Sequence, residues 1–290
     1  MRHVQLRAFH HVAISGGFSR AAEQLLLTQP AISDQVRKLE EEYDVLLFNR
    51  QRKQVTLTEA GEGLLQITRR LFDSEQQALD YLLENRALQA GHLRIVADSA
   101  HHLLHILATF RERYPRVTVS VRSGNTETVV GLLFRYEADL GILGERPELA
   151  HFDCEVLGTS PIIAFVARGH PLAGAGRLAL TDLPAHPLVL RERGSKTRAK
   201  LEQAARAAGI DLTPAIEAEG REAVREIVAS GAGIGFVSQA EFGKDRRLVP
   251  IRLDPDAGLM MDEALIALRE RHGAKLVQAF FAVARQLRGG

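Results

Sequence analysis

The chain has 290 residues, 46% hydrophobic and 6% aromatic, with 37 Lys or Arg against 36 Asp or Glu. That length allows one large domain or two to three modest ones, and the near-neutral total leaves room for local charged patches without indicating a partner. One cysteine, Cys154, excludes an internal disulfide framework, and no apolar run matches a signal-peptide core or a membrane span. A soluble, cytoplasmic protein in a reducing compartment is expected.

From Met1 to Thr58 the pattern predicts short helices followed by a hairpin. Leu6, Phe9, His10, Ala13 and Ile14 fall at helical spacing before Gly16-Gly17. Ser19 is the expected cap of the next helix, with Ala21, Ala22 and Leu25 buried. Thr28 is the expected N-cap of a third, with Pro30 in its first turn, where a missing N–H costs nothing. Ala31, Ile32, Val36 and Leu39 form its apolar side, leaving Gln29, Ser33, Gln35 and Arg37 on or near the other. Leu46-Leu47-Phe48 and Val55-Thr56-Leu57 flank Arg50-Gln51-Arg52-Lys53, which predicts a two-stranded wing with a basic tip.

A helix presented beyond a tight turn fits the DNA major groove, about 12 Å wide. Gln29, Ser33 and Gln35 suit base edges or nearby phosphates. Arg37, Lys38, Arg50, Arg52 and Lys53 suit phosphates. Asp34 has three open roles: accepting from cytosine, orienting an arginine, or facing solvent. The segment holds eight basic and six acidic residues, so it is not strongly basic. Glu40-Glu41-Glu42 is expected to face away from the phosphates, paired with Lys38 or another domain. The competing reading is a helical bundle that touches no nucleic acid, with the basic hairpin a solvated turn.

From Thr58 to about Leu88, apolar Leu64, Leu65, Ile67, Leu71, Ala78, Leu82 and Leu83 recur near helical spacing. A helix of that length needs a partner surface, which a paired copy would supply. The texture changes at Gly91. HLRIVAD, VTVSVRSG, ADLGILG, IIAFVARG (opened by Pro161), HPLVLRERG, AIEAEG and GIGFVSQ read as strands. Helices are expected at His101–Tyr114, Thr126–Tyr136, Thr197–Ala208 and Arg221–Ser230. That alternation predicts an α/β region of two lobes.

The motifs FSRAAEQL, TQPAISDQVRKLEEE, LLFNR and VTLTEAGEGLL span most of the first 65 residues. They resemble the LysR-type transcriptional regulators of bacteria, and the remainder agrees with that family in length and order. The resemblance implies an α/β protein overall, with a winged helix-turn-helix over 1–58 and a linker helix over 59–90. It also implies a two-lobed, periplasmic-binding-protein-like effector domain over 91–290, with lobe I at about 91–160 and 266–290 and lobe II at about 161–265. Further implications are a recognition helix at about Gln29–Glu41, a homodimer or tetramer, bending of operator DNA, and RNA polymerase as a partner. The chain departs from the family pattern at Asp34, where Arg is frequent, and at Asp44, where Gly is.

Strand-to-helix boundaries are natural anion sites, since free N–H groups and a positive helix end converge there. Ser99, Ala100, His101 and His102 form one boundary, and Asn125 and Thr126 a second. The run from Arg193 to Arg198, with Ser195, Lys196, Thr197 and Arg198, forms a third. The family resemblance implies a ligand between the lobes near these boundaries and adds Ser238 as a weaker candidate. Helix caps, a core histidine and an exposed loop are the plainer roles. Of the two boundary residues, Thr126 is the expected cap. The effector is expected to be a small anion: a carboxylate, sulfate, phosphate or phosphonate. The run GSKT lacks the G-x-x-x-x-G-K-S/T spacing, and no catalytic constellation, metal motif or cofactor motif is evident. The resulting reading is a ligand-responsive transcriptional regulator binding double-stranded operator DNA. The alternatives are an anion-binding module without DNA binding, and an enzyme.

Overall fold

A computed structural model describes residues 1–49, 55–82, 91–99, 101–146, 150–254 and 258–288, without the side chains of residues 80, 81 and 102. The chain divides into two compact units, Met1–Leu82 and Leu83–Gly290.

In the first unit α1 (His3–Ser15), α2 (Phe18–Leu25) and α3 (Gln29–Tyr43) precede β1 (Phe48–Asn49), β2 (Thr56–Leu57) and α4 (Glu59–Leu82). The Oγ1 of Thr28 accepts the Ala31 N–H at 3.4 Å and Pro30 lies in the first turn, so α3 begins where the capping chemistry requires. Phe48 pairs with Leu57 and Asn49 with Thr56 in an antiparallel wing. The wing-tip candidates Arg50, Arg52 and Lys53 lie outside the described residues. Phe9, Val12, Ala21, Ala22, Ile32, Val36, Leu39, Leu47, Phe48 and Leu65 make one core.

Three local expectations need correction. Ser19 does not cap α2: the helix starts at Phe18 with Gly17 at the N-cap, and the Phe18 ring packs on Phe48 at 5.6 Å. Ala31 is exposed, and the inward face is made by Ile32, Val36, Leu39 and the carboxylate of Glu40. Nor do the three glutamates pair with Lys38. The Oε1 of Glu40 accepts from the Leu47 and Phe48 N–H groups at 2.8 and 3.3 Å, tying the end of α3 to the wing. Glu41 pairs with Arg37 at 2.8 Å and Glu42 accepts from Gln5 at 3.4 Å.

The start of α4 packs back on α1. His10 Nδ1 lies 3.1 Å from the Thr68 Oγ1, and that hydroxyl donates to the Leu65 carbonyl at 3.2 Å. The single hydroxyl proton is thus used, so His10 donates through Nδ1. Burial, with His11 and Arg69 nearby, lowers the His10 pKa to about 4. Of the expected stripe, Leu65 is buried in this core with Leu64 packed against it, while Ile67, Leu71 and Leu82, with Leu79, are 63, 40, 75 and 47% exposed within this unit.

The second unit opens with β3 (His92–Ala97), a 3-10 turn at His101–Leu103, and α5 (Leu104–Arg113). The predicted helix from His101 therefore tightens in its first turn. Next come β4 (Thr118–Ser123), α6 (Thr126–Phe134), β5 (Leu140–Leu143), β6 (Phe152–Ala167), β7 (Arg177–Leu178) and β8 (Val189–Arg191). Then follow α7 (Lys196–Ala207), β9 (Ile216–Ala218), α8 (Arg221–Ala229), β10 (Gly235–Ser238), β11 (Leu248–Leu253), β12 (Met260–Leu268) and α9 (Lys275–Arg288).

In the first lobe, parallel β4, β3 and β5 continue into antiparallel β12 and β6. Leu93, Ile95, Phe110, Leu140, Ile142, Leu265 and Phe280 fill its core. In the second, β10 and β11 pair antiparallel with the far part of β6, and β8 runs parallel to β9. Ile162, Ala164, Leu188, Leu190, Leu201, Ile234, Phe236 and Ile251 pack there.

Pro161 does not open a strand. β6 begins at Phe152 and runs through Pro161, which stands opposite Met260, while the next residue, Ile162, donates to the Leu259 carbonyl at 2.7 Å. One strand thus serves both lobes. β12 pairs with β6 from Met260 onward, and its Met261 packs in the second lobe's core. The cap of α6 is Asn125, not Thr126: its side-chain oxygen accepts the Thr128 N–H at 3.0 Å. Among the described residues, no helix is long and apolar enough to cross a membrane.

Candidate nucleic-acid interface and inter-lobe cleft

The exposed side of α3 carries Gln29 and Pro30, then the half-buried Ser33, Asp34 and Gln35, then the exposed Arg37 and Lys38. Spacing of three and four residues aligns Ser33 and Arg37 along the helix and sets Asp34 beside Lys38. Asp34 adopts the orienting arrangement in this structure. Its carboxylate lies 2.7 Å from Arg37 Nη2 and 2.7 Å from Lys38 Nζ. The hydrogen bonds from Lys38 and Arg37 hold its carboxyl below the usual carboxylate range. Two cations on the exposed side are therefore already partnered within the helix.

In the second unit, the C-terminal ends of the parallel strands β3 and β4 and of β8 carry the loops that face one another, the usual place for a ligand in an α/β sheet. Asn125 Nδ2 donates to the Arg193 carbonyl at 3.5 Å, so the start of α6 meets the approach to α7. Gly194 makes this approach possible: at φ +89 it lies so close that a Cβ there would stand 2.9 Å from Asn125 Nδ2. Thr126, the first residue of α6, and Ser195, the N-cap of α7, each hold a buried hydroxyl oxygen with no hydrogen-bond partner. Ser195 makes no side-chain cap bond, so its hydroxyl stands beside the first turn of α7 without satisfying an N–H there. Ser195 also borders a cavity of ≈ 360 Å³, with Arg193, Arg198 and Arg206.

The remaining candidates divide sharply. Ser99 is buried, and its Oγ accepts from Arg221 Nη1 at 2.6 Å. Lys196 reaches Glu145 at 2.6 Å. Thr197 is buried at the first turn of α7. His101 is exposed, and its N–H donates to the Ser99 Oγ at 3.2 Å. Arg198 is not open to an anion, because Glu202 (2.7 Å), Glu217 (2.6 Å) and the Arg191 carbonyl (2.7 Å) take its guanidinium. Ser238 is fully buried against the Ser160 hydroxyl at 2.5 Å. Ala100 and the side chain of His102 lie outside the described residues.

Sequence reasoning missed Asp98, Arg191, Arg221 and Glu241. Arg191 Nη1 lies 3.0 Å from Asp98 Oδ1, and Arg221 Nη2 lies 2.8 Å from the Asp98 carbonyl and 3.3 Å from Glu241. Burial pushes the Glu241 carboxyl up, with Arg221 opposing and Glu263 adding to the rise. The available signal was a charged residue ending an apolar strand, as Arg191 ends β8.

A winged helix-turn-helix joined to a two-lobed α/β domain defines a ligand-responsive transcriptional regulator. The chain belongs to the LysR family: the bacterial regulatory helix-turn-helix protein model, lysR family, matches residues 3–62, and the LysR substrate binding domain model matches residues 86–288. A RuBisCO operon transcriptional regulator from Allochromatium vinosum is 34% identical over 236 residues, covering 81% of this chain and 78% of that one. The regulator CfxR from Cupriavidus necator is 32% identical over 256 residues, covering 88% and 81%. A full-length OxyR variant from Pseudomonas aeruginosa superposes with a TM-score of 0.79 at 20% identity, covering 98% of this chain and 95% of that chain. Full-length CbnR bound to its target DNA gives 0.68 at 22% identity, covering 99% of both chains. These relatives are transcriptional regulators, so the main reading stands and the module without DNA binding is set aside.

Proposed function

We propose that this regulator reads operator DNA with α3 and answers to a small oxyanion held between its lobes. Gln29, Ser33 and Gln35 contact base edges or adjoining phosphates, with Pro30 setting the entry of the helix. Arg37, Lys38 and the wing residues Arg50, Arg52 and Lys53 contact phosphates. Two copies pair through the exposed apolar stripe of α4, and a tetramer bends the operator. Chemistry is not part of this role, the cytoplasm is its setting, and RNA polymerase is a further partner.

The effector reading is carried by one observation. Two helix starts, α6 and α7, come from opposite lobes and meet through Asn125 and Arg193, each with a buried, unpartnered hydroxyl. Such groups are costly to leave unsatisfied and suit an anion that accepts from both. Sulfate, phosphate, phosphonate and carboxylate all have that character. Binding between the lobes shifts the balance between two arrangements of the assembly only through unequal affinity for them.

The test is titration of sulfate, phosphate and a dicarboxylate into the full chain and its Thr126→Ala and Ser195→Ala variants, with operator footprinting alongside. Each variant is expected to weaken the favoured anion about tenfold, the worth of one hydrogen bond to a charged group. Equal affinity in both variants and the parent would remove this site from consideration. In the footprint, Gln35→Ala is expected to change sequence preference and Arg52→Ala to weaken all sequences alike.

A further inference from the structure

Resting on the reading that the cleft holds an anion, we infer that Asp98 is a tethered competitor for that anion, occupying Arg191 until an effector takes its place.

The two residues come from different lobes. Asp98 follows β3, Arg191 ends β8, and they lie 93 positions apart. Their side chains are 6 and 9% exposed, and the Nη1–Oδ1 distance is 3.0 Å. The guanidinium is already anchored on its own lobe. Glu192 accepts from Nη2 at 2.7 Å and from Nε at 3.2 Å, and Glu192 in turn accepts the Gly220 N–H at 3.0 Å. Arg191 therefore keeps its position without Asp98, and the edge it turns toward the first lobe is the replaceable one. A carboxylate there meets a fixed, planar donor set suited to carboxylates and phosphates generally.

Charge balance makes exchange more favourable than addition. At the cleft base Arg191 already faces Asp98 and Glu192, and Arg221 faces Glu241, so both guanidinium groups have carboxylate partners before any anion arrives. A further anion placed beside them would meet like charge in a desolvated setting. Withdrawal of Asp98 removes that conflict and presents Arg191 to the newcomer. The hydroxyls of Thr126 and Ser195 recognise an oxyanion, and Asp98 sets how strongly it must bind to open the cross-lobe pair.

Inorganic phosphate serves as the probe, with the full chain throughout. Asp98→Asn keeps the shape and removes the charge. It is expected to bind phosphate at least about tenfold more tightly than the parent, and Asp98→Glu to return to parental affinity. Hydrogen exchange without phosphate is expected to rise in both β3 and β8 of Asp98→Asn and to fall again when phosphate is added. Unchanged protection of β12 reports an intact fold, and Asp98→Ser gives an independent charge removal. Phosphate binding equal to or weaker than the parent's in both charge-removal variants overturns the competitor role and leaves the anion site standing. Phosphate binding to none of the proteins overturns the anion reading and the competitor with it.

Discussion

Glu40, inside α3, accepts the backbone N–H of Leu47 at 2.8 Å and that of Phe48 at 3.3 Å. This buried carboxylate ties the end of α3 to the first strand of the wing. Glu40→Ala leaves two buried donors without this acceptor and is expected to cost the first unit about 2–3 kcal/mol. Glu40→Gln keeps the accepting oxygen and should cost about half as much. Urea denaturation of the variants checks the order, and equal losses would mean that shape, not the acceptor, matters.

His10 makes the first unit sensitive to mild acid. Its folded pKa is about 4 against an ordinary 6.5, so between those values the unfolded chain binds the extra proton. The stabilisation is complete above pH 6.5 and is lost as pH falls toward 4, by about 3 kcal/mol at most. His10→Gln retains a donor toward Thr68 and should flatten stability across that window. Melting of the first unit at pH 4.5 and pH 7, about the two ends of the transition, reads this directly.

Asp34 holds Arg37 and Lys38, the two cations of α3 proposed to meet phosphate. Asp34→Ala releases Lys38 and leaves Arg37 with Glu41 alone, and it is expected to raise duplex affinity at low salt about threefold to tenfold. The slope of log affinity against log salt should steepen by about 1 to 2. Titrations at several salt concentrations with operator and unrelated duplex separate the two effects. Weaker binding confined to the operator would show Asp34 itself touching a base.

The stripe on α4 predicts the assembly. Ile67 and Leu71 are 63 and 40% exposed, one turn apart, on a helix anchored to α1 through Thr68. Replacing both by Glu places carboxylates in an apolar interface and should raise the dimer dissociation constant about a hundredfold or more. Light scattering against concentration measures it. An unchanged dimer would exclude this face.

The elements with local causes were legible in the sequence. Thr28 and Pro30 mark the start of α3 by chemistry contained in one turn, and the strand–helix alternation after Gly91 follows from periodicity. Pro161 misled because a residue without an N–H reads as a strand start, whereas tolerance in mid-strand depends on which partner lies opposite, here Met260. The site was half legible for the same reason. Hydroxyls at helix starts, such as Ser195, can be found from their neighbours. The pairing of Asp98 with Arg191, and the removal of Arg198 by Glu217, depend on contacts that no local window contains.

β6 carries a mechanical consequence. Its 16 residues pass from one lobe to the other as one extended strand, with Met260 of β12 alongside Pro161. A joint of that kind resists a wide swing but yields to torsion about its own length, as a stiff rod does. Occupancy of the cleft should therefore register as a small wringing of one lobe against the other, and assays tuned to angle will detect it sooner than assays tuned to size.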